Sequence, residues 1–188
     1  MLEMNDSDVN LIEGLCRQSR KAQEQALETY GSYVWTQVIR LVSSVEDAEE
    51  VYQDVFIKAF RNIRKYERGK SSFQTWISRI AYNESISFLR RNRKPEVYLD
   101  ETDSRLDNIT EEQAEDILGR TDSNTVELIK AAIRHLPPDE QAIVTLFYYD
   151  DMSLKEIAYI TNSVPSNVGS KLSRARKKLC QIINLLKS

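Results

Sequence analysis

Between Ser32 and Arg68 the chain contains neither glycine nor proline. A stretch of that length without either of the residues that most strongly interrupt regular structure disfavours the turn-rich layout of sandwiches and barrels and favours long helices. The hydrophobic period inside it agrees. Ala48, Val51, Tyr52, Val55, Phe56, Ala59, Phe60 and Ile63 recur at steps of three and four residues, which is one stripe of a helix beginning near Glu46. Its first turn carries Glu46, Asp47, Glu49 and Glu50 and its last turns carry Lys58, Arg61 and Arg64, each sign placed where it opposes the helix dipole. Beyond the polar loop KYERGKSS a second stripe runs from Phe73, Trp76, Ile77 and Ile80 to Phe88 and Leu89. Upstream, Leu11, Leu15, Ala22, Ala26 and Tyr30, then Val34, Val38, Leu41 and Val42, predict two more helices hinged near Gly31. The fold class expected is all-α.

Charge is sorted along the chain, and that sorting gives the domain plan. From Arg61 to Lys94 there are ten basic residues against two acidic ones, Glu67 and Glu84. From Glu96 to Glu127 the balance reverses, with eleven acidic residues against Arg105 and Arg120. The acidic stretch comes just after Pro95 and is poor in large apolar side chains, so it cannot bury a core of its own. We read it as a flexible tether over residues 96–122 between a helical domain over residues 1–95 and a second over residues 123–188, both small. The other reading of the same composition is an acidic helix packed on one of the domains.

The second domain opens with two apolar-periodic segments split by Pro137 and Pro138, a pair that suits the end of one helix and the first turn of the next. Ser153 and Glu156 then form the capping-box pattern of a third helix, LKEIAYIT. NSVP turns the chain, with Asn162 able to adopt a left-handed backbone and Pro165 at the first position of a fourth helix. In that last helix Val168, Leu172, Ala175, Leu179, Ile182 and Leu186 form the buried stripe, and five cations within eight residues, Lys171, Arg174, Arg176, Lys177 and Lys178, are expected off it. A short helix, a tight turn and a second helix with a cationic outer face is the plan of a helix-turn-helix. On that plan Ser166, Asn167 and Ser170 sit near the helix start, where short polar side chains touch bases or phosphates. Arg174 reaches further, and Lys177 and Lys178 meet the nucleic-acid backbone.

Other classes of function find little here. His135 is the one histidine and stands beside the double proline, and there is no glycine-rich phosphate loop, metal-ligand cluster or nucleophile motif, so an enzyme is not expected. No cofactor or small-molecule substrate is implied. Cys16 and Cys180 lack paired spacing, which argues against a disulfide framework or zinc site. With no apolar run near the roughly 20 residues that cross a bilayer and no secretory pattern in MLEMNDSDVN, a cytoplasmic location is expected.

Four blocks, DAEEVYQDVFIKAFRNI, SSFQTWISRIAYNESISFLRRNRK, LPPDEQAIVTLFYYDDMSLKEIAYIT and SKLSRARKKL, together resemble the extracytoplasmic-function (ECF) sigma factors of the bacterial sigma-70 family, in family order and at family spacing. The resemblance implies a promoter-specificity subunit of RNA polymerase, built from a sigma-2 and a sigma-4 domain. Its partners would be core polymerase, through the β′ clamp helices and the β subunit, and promoter DNA, with room for an anti-sigma factor. By the same match Asp47, Gln53, Asp54, Phe56 and Lys58 would face the β′ clamp helices.

The minus-ten strand would be captured by Tyr66, Lys70, Ser71 and Ser72 of the loop with Asn83, Arg90, Arg91 and Arg93 of the next helix. An extruded base there is held while cations hold the phosphates, which suits a surface that nucleates strand separation. Phe73 and Trp76 read better as core than as stacking platforms. The minus-thirty-five element would be met by Ser166, Asn167, Ser170, Lys171, Ser173, Arg174 and Arg176. The acidic tether would lie in the cationic RNA-exit channel. Three positions depart from the family pattern: Asn162 for a turn glycine, Gly169 for a frequent Lys or Arg, and Gln141 for a frequent arginine whose phosphate contact would be lost. The rival reading is a helix-turn-helix regulator that binds duplex operator by itself and uses its first domain to sense or dimerise. A pure interaction protein with an acidic partner is a more remote one.

Overall fold

The computed structural model describes residues 6–92, 110 and 123–186. These divide into two compact units, the first holding the described residues up to Asn92 and the second almost all of those beyond it. Among the described residues the regular elements are all helical, as the periodicity predicts. The tether at 96–122 lies outside the described residues except for Thr110.

The first unit consists of α1 (Asp6–Cys16), α2 (Arg20–Leu41), α3 (Val45–Asn62), a 3-10 turn (Ile63–Lys65) and α4 (Phe73–Arg91). Helix α3 starts where Ser44 Oγ accepts the Asp47 N–H at 3.2 Å, and α4 where Ser72 Oγ accepts the Thr75 N–H at 3.0 Å. Each cap satisfies a backbone donor that has no partner inside its helix. Helices α2, α3 and α4 pack on one another and α1 packs on α2. Val34, Val38, Ala48, Val51, Val55, Ile77 and Ala81 supply the innermost core, none more than 2 % exposed. A polar thread joins α2 to α4 within this packing: Gln37 Nε2 donates to Tyr33 Oη at 2.9 Å, Tyr33 Oη pairs with Ser78 Oγ at 3.0 Å, and Ser78 Oγ donates to the Gln74 carbonyl at 2.8 Å. Hydrogen bonds shielded in this way fix the register of one helix on another.

The hinge expected near Gly31 is elsewhere. Helix α2 runs unbroken through Gly31, and the chain reverses instead at Arg17–Ser19, where Gln18 takes φ 56° and the Ser19 N–H donates to the Gly14 carbonyl at 3.0 Å. That six-to-one bond with a left-handed residue inside it closes the C-terminus of α1. Gly31 is buried because Tyr52 of α3 crosses over it, its hydroxyl 2.8 Å from where a β-carbon would stand. Burial raises the Tyr52 phenol above its usual pKa. Glycine at 31 lets the Tyr52 hydroxyl lie close against the α2 backbone, a contact that no local pattern reveals.

The second unit consists of α5 (Ser123–Ile133), α6 (Pro138–Tyr148), α7 (Leu154–Thr161) and α8 (Pro165–Leu186). Pro137 is extended, with φ −53° and ψ 144°, and Pro138 opens α6. The capping box of α7 is complete, with Ser153 N–H donating to Glu156 Oε2 at 2.9 Å and Glu156 N–H to Ser153 Oγ at 3.3 Å. Asn162 takes φ 53° in the turn before α8, and Asp151 takes φ 49° in the turn before α7, a left-handed position with no glycine or asparagine to signal it in the sequence. Helix α8 packs on α5 and α6, with Val168, Ala175, Leu179 and Ile183 fully buried.

At the α1–α2 turn a β-carbon on Gly14 would stand 2.7 Å from Ala22 Cβ, which is fixed to its backbone and cannot swing aside. Gly14→Ala is therefore expected to lower unfolding free energy by about 1–3 kcal/mol despite alanine's better helix propensity. Denaturant unfolding of the two proteins measures the difference.

Candidate nucleic-acid interface

With Val168, Leu172, Ala175 and Leu179 turned inward, α8 presents Ser166, Asn167, Ser170 and Arg174 on its exposed side. Ser170 Oγ donates to the Ser166 carbonyl at 3.0 Å, which steadies the first turns of this row. Lys171, Ser173, Arg176 and Lys177 are half-buried along its edges. Arg176 is held by α6: its Nε donates to Tyr148 Oη at 2.7 Å, and its guanidinium carbon lies 5.7 Å from the ring centres of both Phe147 and Tyr148. The sequence pattern does not single out this pair of aromatic residues. The only signal is the dipeptide itself at the end of an amphipathic segment.

Lys178 corrects the expectation that all five cations face outward. Its side chain is 2 % exposed and donates to Glu140 Oε1 of α6 at 2.8 Å, inside the contact between α6 and α8. It is one residue before Leu179 in the buried stripe, so the same burial that hides the stripe draws Lys178 in, and Glu140 supplies the counter-charge. Gln141 is also buried, which places it in the packing of α6 rather than on a phosphate-facing surface. A β-carbon on Gly169 would meet only Leu154 Cδ1 at 3.8 Å, an ordinary contact, so packing does not demand glycine there.

In the first unit, Gln53 and Asp54 are exposed on α3, and Asp47 is half-exposed in its first turn. Lys58 is exposed and ion-pairs with Glu84 of α4. Phe56 is 4 % exposed and packs its ring 5.1 Å from Tyr52, so it belongs to the core and offers no surface to a partner. Exposed Val45 and Ile57 extend the α3 face; the one hint of them in the sequence is that Ile57 is an apolar residue lying off the stripe.

The loop before α4 also departs from expectation. Tyr66 is 8 % exposed, donates its hydroxyl to the Ser71 carbonyl at 3.0 Å, and sits 5.6 Å from the rings of both Phe73 and Trp76. It shapes the loop from within and is not displayed as a stacking platform. Ser71 is buried and Ser72 is committed to the cap of α4. Phe73 and Trp76 are core, as expected of them. Lys70, paired with Glu67 at 2.8 Å, and Asn83, Arg90 and Arg91 remain on the surface. Arg93 lies outside the described residues.

Among the described residues no group of His, Cys, Asp and Glu is placed to hold a metal ion, and no helix is long and apolar enough to cross a membrane.

Family models assign both units. Sigma-70 region 2 matches residues 26–94, and Sigma-70, region 4 matches residues 126–179. The ECF RNA polymerase sigma-E factor of Haemophilus influenzae is 30% identical over 178 residues, covering 92% of this chain and 93% of that one. The chain belongs to the ECF sigma factors. The ECF RNA polymerase sigma factor SigW of Bacillus subtilis is 28% identical over 179 residues, covering 90% of this chain and 95% of its own. Two solved structures share the fold. The sigma factor RpoE in complex with the anti-sigma factor NepR, from Bartonella quintana, has TM-score 0.61 at 21% identity, covering 86% of this chain and 96% of that one. CnrH in complex with the cytosolic domain of CnrY has TM-score 0.61 at 20% identity, covering 95% and 97%.

As an ECF sigma factor, the protein directs RNA polymerase to promoter DNA. The operator-binding regulator is not favoured. Sigma factors are in general not enzymes.

Two stability measurements check this geometry. Lys178→Ala leaves Glu140 buried without its partner and is expected to cost about 3–5 kcal/mol, while replacing Lys178 by Met and Glu140 by Leu together is expected to cost far less. Gly169→Ala removes a mid-helix glycine and is expected to stabilise by about 1 kcal/mol, read as a rise in melting temperature.

Proposed function

We propose that the two units divide promoter recognition between them, the α3 face of the first docking on core polymerase and the exposed row of α8 reading the minus-thirty-five element. The observation that carries this reading is the row itself: Ser166, Asn167, Ser170 and Arg174 on the open side of the second helix of a helix-turn-helix. Short polar side chains near the start of such a helix reach base edges in the major groove, and Arg174 one turn later reaches a base or a phosphate. Lys171, Ser173, Arg176 and Lys177 flank the row as phosphate contacts, which fix orientation without reading sequence.

On the first unit, Asp47, Gln53, Asp54 and Lys58 form the docking surface for the β′ clamp helices. Lys70, Asn83, Arg90 and Arg91, with Arg93 beyond them, hold the minus-ten strand. The acidic segment 96–122 bridges the two promoter elements and lies in the cationic RNA-exit channel. An anti-sigma factor is a further proposed partner. One of the two solved neighbours is a complex with an anti-sigma factor, and an inhibitor of this chain would cover the exposed α3 and α8 faces.

Reconstitution with core RNA polymerase and genomic DNA, and then mapping of transcript starts, tests the reading. Start sites that depend on this protein are expected. On the strongest of them, Asn167→Ala and Arg174→Ala are each expected to weaken promoter binding about 10-fold to 100-fold with core affinity unchanged. Asp54→Ala is expected to weaken core binding instead. Wild-type promoter affinity in both α8 variants would refute the assignment of that face.

A further inference from the structure

Arg176 stands on α8 beyond the exposed row and is held from outside its own helix. Tyr148, in the last turn of α6, accepts the Arg176 Nε–H at 2.7 Å, a short bond for a guanidinium donor. Phe147 and Tyr148 meet edge to face, their ring centres 5.1 Å apart at 80°, and the guanidinium carbon is 5.7 Å from each centre. That distance is within the range at which a cation is attracted to a ring face. A free arginine side chain samples many rotamers, and binding an anion with it costs the entropy of choosing one. Here the choice is already made by a hydrogen bond at Nε and by two rings. The Nε bond sets the orientation of the whole guanidinium plane, and with it the Nη fork that bidentate phosphate recognition uses.

We propose that Tyr148 is a positioning residue for DNA: its hydroxyl, with the Phe147 ring beside it, presets Arg176 of α8 to take a backbone phosphate at the flank of the minus-thirty-five element. Tyr148 itself touches no DNA in this account and acts only through Arg176. The inference rests on the assignment of α8 as the DNA-reading helix and adds a residue of α6 to its machinery.

The test is a double-mutant cycle on the reconstituted holoenzyme. The probe is a labelled duplex spanning the region upstream of its strongest mapped start, titrated at several KCl concentrations. Tyr148→Phe keeps the ring and removes the hydroxyl, and is expected to weaken binding about fivefold. Arg176→Ala is expected to weaken it about tenfold and to flatten the slope of log affinity against log salt by about one phosphate's contribution. The double variant is expected to bind no more weakly than Arg176→Ala alone, because Tyr148 has nothing left to position. Melting curves of the free variants show whether folding is shared equally, and a purely structural role for Tyr148 would not change the salt slope.

Wild-type affinity in Tyr148→Phe, or additive losses in the double variant, would overturn the proposal. So would an Arg176→Ala variant that keeps both affinity and salt slope, while leaving the sigma-factor function intact. Absence of any start site dependent on the wild-type protein would instead remove the promoter-recognition reading on which the proposal rests.

Discussion

Burial of one apolar stripe on α8 sets the use of the whole second unit. Val168, Leu172, Ala175, Leu179 and Ile183 are removed from water against α5 and α6, which gives that helix a single allowed rotation about its axis. That rotation decides every assignment on its other side. Ser166, Asn167, Ser170 and Arg174 are exposed because the residues between them are not, and the face proposed to read DNA is the complement of the core. The first unit works by the same rule: Gln53 and Asp54 are available on α3 because Val51, Val55 and Ala59 face inward.

Charge alone would misassign one member of the terminal cluster. Lys171, Arg174, Arg176, Lys177 and Lys178 look alike in the sequence, yet their surroundings divide them into an exposed arginine, half-buried flanks, an arginine held by aromatic rings, and a lysine sealed against Glu140. A buried pair of this kind adds little net stability relative to well-packed apolar side chains, but losing either partner is costly. It ties α6 to α8 in one register. The Tyr148 hydroxyl lies on the same α6–α8 contact, so correct seating of these two helices also places Arg176.

The helices, the two-unit plan, the turn at Asn162 and the capping box at Ser153 are legible because each is written in local chemistry: a period of three and four, a proline at a first turn, a serine three residues before a glutamate. The features that escape the sequence depend on contacts between distant segments. Gly31 looks like a hinge until Tyr52 is seen lying across it, and Gly14 gains its meaning from Ala22. Tyr66 reads as a displayed aromatic because its loop is polar, whereas its hydroxyl bond to Ser71 and the rings of Phe73 and Trp76 draw it inward. Phe56 belongs both to a family pattern and to the hydrophobic stripe, and burial decides for the stripe. Lys178 misleads for the same reason as Gly31, since its partner lies 38 residues away in the sequence.

The central claim is that the two exposed faces serve different partners in turn, and hydroxyl-radical footprinting of side chains tests it most directly. Val45 and Ile57 mark the α3 face at 56 % and 46 % exposure, and Val164, at 52 %, marks the turn that leads into α8. Adding core polymerase is expected to protect Val45 and Ile57, and Val164 is expected to become protected only when promoter DNA is added to that complex. Protection of Val164 by DNA without polymerase, with Val45 and Ile57 unchanged by polymerase, would contradict the account.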